Sequence, residues 1–351
     1  MPESDGHGRG TQFITVLYVN RSGSTLFSRL VSERFPGACM FPELSFPLHL
    51  LALRSRGHSV TGQALHELIR RDPRIEALGI PDAELKAVCE TNSSDDLGAL
   101  FDALAGAMRG GRPHRVVLFK LETLLGMAGA LVNAFPGIKF IHVVRDPRAV
   151  ASSMLRTPVP EKPGFDMARG SAVHAARHWR RYIRQVETLA GSAPVLTIGY
   201  ESLGADLPTV AARLEAYLNL SAEEPDAAQR LNAYATAAID AKLHQNIHKP
   251  FMRDRVDGWS DELSPRDVFV IEMICQAEMA GLGYEPARPR IGNRRVAMAW
   301  AQARHMTATI RHAVLTLRHY MRREDALQAL KQRARLALAQ RISRKAAPKN
   351  L

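Results

Sequence analysis

The sequence predicts an α/β fold, a parallel sheet flanked by helices, with a helical insertion near its start and a basic helical C-terminal extension. Three observations predict it. Apolar runs of β type alternate with helical stretches along most of the 351 residues, and parallel strands joined in that order need right-handed helical crossovers. The run FITVLYV (13–19) passes through a small polar turn directly into a helical stretch. IKFIHVV (138–144) repeats the arrangement and enters RDPRAVASSM.

Residues 1–12, opening MPESDGHGRG, are polar and are expected to be disordered. An α/β domain is expected over 13–287. Its first unit is a strand over 13–19, a turn at Arg21-Ser22-Gly23-Ser24-Thr25 and a helix over 25–34. The first N–H groups of a helix point outward without partners, and a tight Ser-Gly turn lets an anion reach them while hydroxyls and Arg21 add donors. The turn is therefore P-loop-like, but without the Walker lysine. It has no Gly four residues earlier and no Gly-Lys pair, which disfavours an ordinary NTPase.

Residues 44–110 contain no central strand; LHLLALRSR, ALHELIRR and DDLGALFDALAGAMRG read as helices of an insertion. A strand over 115–119, a helix over 124–134 and the strand 138–144 follow. Asp146 can cap the next helix, 147–155, and Pro147 suits its first turn. Arg145 then stands at the carboxyl end of a strand, where open α/β sheets bind ligands, with Ser153 two helical turns beyond. The stretch RTPVPEKPGFDMARG (156–170) holds three prolines and two glycines, too many breakers for a helix, and suits a mobile lid. A helix over 171–190, a strand over 194–199 and helices over 208–218 and 264–280 complete the domain, the last with a capped Ser264-Pro265 start.

With 46% apolar residues the chain can bury one large core. Its longest uncharged apolar runs fall short of the roughly 20 residues a bilayer helix needs, and the N-terminus has no signal-peptide core, so a cytoplasmic location is expected. Cys39, Cys89 and Cys275 are odd in number and far apart, without zinc spacing, and are expected as buried, reduced thiols. The net charge of +12 is unevenly divided: residues 288–351 carry 16 Lys and Arg against two acids, Glu324 and Asp325, leaving 31 against 33 in the remainder. This places a boundary at 287, within the EPARPR stretch. Beyond it, Arg304-His305, Arg311-His312 and Arg318-His319 recur every seven residues, and Met306, Ile310, Val314, Leu317, Tyr320 and Met321 form an apolar stripe of an amphipathic helix.

The loop Arg21-Ser22-Gly23-Ser24-Thr25-Leu26, with Arg145 followed by Ser153 eight residues on, resembles the sulfotransferases that use 3′-phosphoadenosine 5′-phosphosulfate (PAPS). HWRRYIRQVETLAGSAPVLTIGYESL and VDGWSDELSPRDVFVIEMICQAEMAGLGY resemble the family's later blocks, so the likeness covers about 13–284. Arg rather than Lys at position 21 is closer to the tyrosylprotein and carbohydrate branches.

The resemblance implies transfer of a sulfuryl group from PAPS to an acceptor hydroxyl or amine, on a carbohydrate or glycolipid, with no metal required. It implies that Arg21 serves the bridging oxygen and that Ser22, Gly23, Ser24, Thr25 and Leu26 form the 5′-phosphate cradle. Arg145 and Ser153 would hold the 3′-phosphate, Lys120 would reach the transferring group, and His248-Lys249 would close over the nucleotide. Tyr200 ends the family's strand block; the core suits it, with stacking on the nucleotide the alternative. The base is expected at Glu43, 18 residues past Thr25 in an apolar setting that would raise its pKa, with Glu122 as the alternative, since Lys120-Leu121-Glu122 puts it where cytosolic members have His.

Two other classes compete. A P-loop kinase of a small metabolite would use the same loop but should show Gly-Lys-[ST] and an acidic Mg²⁺ ligand. A binding protein with a degenerate nucleotide site would act through its tail on anionic lipid, nucleic acid or another subunit. Among these an anionic membrane surface at the inner face is preferred, because a lipid-linked acceptor lies there. Only Trp300 and Tyr320 are aromatic in the tail, which disfavours nucleic acid; an oligomer remains open.

Overall fold

A computed structural model describes residues 10–159, 164–223, 251 and 254–321. Residues 1–9, the centre of the 156–170 loop, His248, Lys249 and 322–351 lie outside the described residues.

Five strands, β1 (Gln12–Tyr18), β2 (Ala38–Met40), β3 (Val116–Lys120), β4 (Lys139–Val144) and β5 (Val195–Gly199), form one sheet in the order β2-β3-β1-β4-β5. Every pairing is parallel. Central strands covered on both faces have no solvent side, which is why β1 and β3 read as near-continuous apolar runs. Their side chains still alternate: Ile14, Val16 and Tyr18 enter one core and Leu17 the other.

On one face, α1 (Ser24–Arg34) contributes Phe27, Leu30 and Val31. The other face is larger. It takes the insertion helices α2 (Phe46–Arg54), α3 (Gly62–Arg70), α4 (Asp82–Thr91) and α5 (Leu97–Met108), together with α6 (Ala128–Ala134), α7 (Pro147–Arg156) and α8 (Ala172–Ala190). Trp179, fully buried on α8, packs there beside Tyr182 and Ile183. The short α9 (Ser202–Ala205) and α10 (Leu207–Leu218) follow β5, and α11 (Asp254–Asp257), α12 (Trp259–Glu262), α13 (Pro265–Gly281) and α14 (Arg294–Met321) close the described chain.

The expected parallel sheet and its flanking helices are present, with differences of detail. Strand β2, at the sheet edge against β3, has three residues, too few to set a period in sequence. Helix α4 buries only Leu85 and Cys89, one turn apart, so its apolar face is barely marked. The helix expected over 124–134 starts as a 3₁₀ turn, Glu122–Met127, before α6. Inside the insertion, Asp72 accepts hydrogen bonds from the backbone N–H of Ser45 (2.5 Å) and Phe46 (2.8 Å). A buried carboxylate from 26 residues away thus satisfies the start of α2, where no side chain of α2 itself caps. Asp146 and Ser264 cap α7 and α13 as their sequences suggest, accepting from Arg148 N (2.7 Å) and Asp267 N (3.1 Å).

Helix α14 carries the basic extension back onto the body. Ala297 and Ala301 are buried in the larger core, and two of the heptad histidines face inward: His305 Nδ1 lies 3.1 Å from Ser171 Oγ, and the His312 ring stands edge-on to Phe165 at 4.9 Å.

Candidate functional site

The site forms because β1 and β4 are neighbours whose chains leave the sheet in opposite directions. Pairing of Tyr18 with Val143 brings residues 19–23 and 145–146 together above the carboxyl ends of the two strands, the crevice where open α/β sheets bind ligands. Ser22 N donates to Val19 O at 3.0 Å, tightening the turn. Arg21 and Gly23 both adopt left-handed backbone conformations, φ 75° and 87°. Gly23 precedes α1, whose first turn opens at the crevice and has no side-chain N-cap bond. The turn requires glycine at position 23 on two counts, its positive φ and the Tyr200 ring, whose Cδ2 would lie 2.2 Å from a Cβ placed there.

Gly23→Ala is therefore expected to lower stability by about 1–3 kcal/mol through strain and displacement of the Tyr200 ring. A urea midpoint equal to that of the unsubstituted protein would show that the ring gives way freely.

Cations gather where the two loops meet. Arg21 Nε donates to Ser153 Oγ at 2.9 Å, so the first-loop arginine and the α7 serine touch directly. Arg145 Nη1 donates to Arg21 O at 3.0 Å, and Nη2 donates to Arg255 O. The Arg145 guanidinium lies 4.3 Å from the Tyr200 ring centroid, and the Trp179 indole N–H fixes the Arg145 carbonyl at 3.0 Å. Burial, then Arg145, Arg255 and Arg156, push the Arg21 pKa down; burial does the same to Arg145.

Among the described residues no carboxylate pairs with Arg21 or Arg145. Asp146 is taken by Arg148 (2.6 Å) and Glu262 by Arg156. The Glu201 carboxylate accepts from Asp146 N and the Tyr284 hydroxyl, each at 3.1 Å. Among the described residues, Arg145 Nε and Ser22 Oγ are buried and have no hydrogen-bond partner. Neighbouring like charges and idle donors beside a helix N-terminus suit an anion. Ser24 is buried and Thr25 half-buried in the first turn of α1, and Leu26 packs on the smaller core.

A second cluster lies at the ends of β1 and β3. Glu43 Oε1 accepts from the Tyr18 hydroxyl at 2.8 Å and sits 3.4 Å from Lys120 Nζ, while Oε2 accepts from Arg74 Nη1 at 3.2 Å. The expected apolar surroundings of Glu43 are absent; two cations and a phenol hold its carboxylate. Burial, then Glu43, push the Tyr18 pKa well up, so the phenol stays a donor. Glu122 is engaged separately, with Asn20 Nδ2 and His178 Nε2 each 2.5 Å from its carboxylate. Tyr182 joins the clusters, accepting from Tyr18 N (2.9 Å) and donating to Glu122 O (3.4 Å). The structure thus brings Glu43 and Lys120 together, and links Glu122 to the Arg21 loop through Asn20.

The sequence does not single out Tyr18, Asn20, Arg74, His178 or Arg255. Tyr18 and Asn20 flank the loop motif and carry a signal by position. Arg74 and His178 arrive from the insertion and from α8, with no local mark.

A parallel sheet flanked by helices, with an arginine-lined crevice at the ends of β1 and β4, defines an α/β protein of the open-sheet class. The family model for the sulfotransferase family matches residues 14–224, more than half of the chain. The chain belongs to the sulfotransferase family. Its fold is similar to that of the sulfotransferase domain from the Synechococcus PCC 7002 olefin synthase, with TM-score 0.53 and 21% identity, over 81% of this chain and 98% of that one. It is also similar to the sulfotransferase domain from the curacin biosynthetic pathway, with TM-score 0.51 and 20% identity, over 79% of this chain and 99% of that one.

Proposed function

We propose that this sulfotransferase takes its sulfuryl group from PAPS and delivers it to a hydroxyl of a carbohydrate or glycolipid acceptor. The observation that carries the donor assignment is the contact between Arg21, Ser153 and Arg145, with Arg145 Nε and Ser22 Oγ buried and unpartnered. Such a cluster suits a ligand bearing two anionic groups a short distance apart, which an adenosine phosphorylated at both ends supplies. PAPS contributes an activated sulfuryl group on a phosphate leaving group.

The chain's own residues then divide the work. Arg21 and the α1 N-terminus neutralise charge growing on the leaving phosphate, Arg145 and Ser153 grip the 3′-phosphate, and Tyr200 sets the arginine plane. Glu43 takes the acceptor proton as the new oxygen–sulfur bond forms and the oxygen–sulfur bond to phosphate breaks. Lys120, 3.4 Å from Glu43 Oε1, orients that carboxylate and extends positive charge toward the sulfuryl oxygens. Arginine rather than lysine at position 21 supports a carbohydrate acceptor by the resemblance above.

Calorimetric titration tests the donor assignment. Adenosine 3′,5′-bisphosphate should bind more tightly than ATP, and Arg145→Ala should weaken it by about one to two powers of ten, since a charge-assisted contact contributes roughly 1.5–3 kcal/mol. Equal affinity in the variant would remove Arg145 from the nucleotide site.

A further inference from the structure

Among the described residues, helix α14 is held along one face only. Ala297, Ala301, His305 and His312 lie on the side facing the body. On the opposite side Met306, Ile310 and Leu317 are each 60% exposed, Met321 69% and Val314 43%. Steps of four, four, three and four residues keep these five in one stripe about four turns long. Arg304, Arg311 and Arg318 follow one border of the stripe, one every seven residues. No helix among the described residues is long and apolar enough to cross a membrane.

We propose that this stripe docks on an anionic lipid surface. The helix lies in the plane of the headgroups, with Met306, Ile310, Leu317 and Met321 entering the acyl boundary and Arg311 and Arg318 meeting lipid phosphates. Charge selects this occupant. Residues 288–321 hold seven Arg and no acid, while residues 1–287 hold 31 Lys and Arg against 33 acids, so attraction to an anionic surface is concentrated on this helix. A second copy of the chain would also cover an apolar stripe, but it would bring two like-charged arginine borders to one seam. The inference concerns where the enzyme works and does not rest on the donor or acceptor assigned above.

Flotation of the full chain with vesicles tests it. The protein should rise with vesicles containing phosphatidylglycerol and remain in the soluble fraction with pure phosphatidylcholine. Met306→Ser, Ile310→Ser and Leu317→Ser combined should lower partitioning by about tenfold or more, because the lost apolar insertion is what holds the helix in the interface. Arg311→Gln with Arg318→Gln should lower it by about 25-fold, roughly fivefold per arginine. Circular dichroism should be unchanged in both, since the substituted side chains are exposed. Flotation of the triple variant equal to the unsubstituted protein, or no flotation of the latter on anionic vesicles, overturns the proposal. So does light scattering that finds a dimer which the triple variant converts to monomer, since the stripe would then be a subunit seam.

Discussion

Glu43→Gln is expected to lower turnover by about two to four powers of ten while leaving the affinity for adenosine 3′,5′-bisphosphate unchanged. The amide keeps the size of the side chain and can still accept from the Tyr18 hydroxyl, 2.8 Å away. It cannot take a proton from an acceptor hydroxyl. The surroundings of Glu43 favour this role: Lys120, buried at the end of β3, and Arg74, from the insertion, hold the two oxygens of one carboxylate. Held at both oxygens, the carboxylate is positioned before its substrate arrives. The proposed nucleotide cradle lies in the loops after β1 and β4, so the two readouts separate. Single-turnover kinetics with titration calorimetry on the same preparation provides both. Full activity in Glu43→Gln would move the proton acceptor elsewhere, with Glu122 next to be substituted. Loss of nucleotide binding together with activity would mean that the variant disturbs the cradle.

Legibility in the sequence follows how local each feature is. Strands β1, β3 and β4 are readable because strands buried on both faces are continuous apolar runs; β5, half-buried at the sheet edge, is readable from the short β-type run VLTIG. Strand β2 is not, since its place depends on pairing with β3 rather than on its own three residues. The Arg21 loop and the Arg145–Ser153 spacing are contiguous chemistry and are legible. The contact between them is not, because the register that sets Tyr18 against Val143 is a property of the assembled sheet. Glu43 is marked by its spacing, yet its environment differs from the one its neighbours suggest. Phe41, Pro42 and Leu44 point to an apolar pocket, but the cations around Glu43 come from positions 74 and 120. Likewise, Glu122 meets His178 across 56 residues, a pairing no local pattern announces.

Arg148→Met should lower unfolding free energy by about 3–5 kcal/mol, because it strands two carboxylates that one guanidinium now serves. Arg148 Nε and Nη2 donate to Asp146 at 3.0 and 2.6 Å, and Nη1 donates to Glu272 at 2.7 Å. All three residues are buried. The network ties three parts of the chain: Asp146 also caps α7, Glu272 lies on α13, and Glu272 accepts from Ala287 N at 2.7 Å. The Arg148 guanidinium further stacks on Trp259, 4.1 Å from the ring centroid. Methionine preserves much of the packing volume, so the loss reads the unpaired charges rather than a cavity. Arg148→Lys should fall between the two, retaining one positive charge but not the fork that meets both acids. Urea denaturation should show a midpoint falling in the order Arg, Lys, Met with a common slope. The consequence reaches the site, because Arg145 stands one residue before Asp146. If Arg148→Met weakens the α7 start, binding of adenosine 3′,5′-bisphosphate should fall even though Arg148 itself faces away toward α13. An unfolding free energy within about 1 kcal/mol of the unsubstituted protein's would mean that water replaces the guanidinium at both acids, and that the network does not hold the α7 start in place.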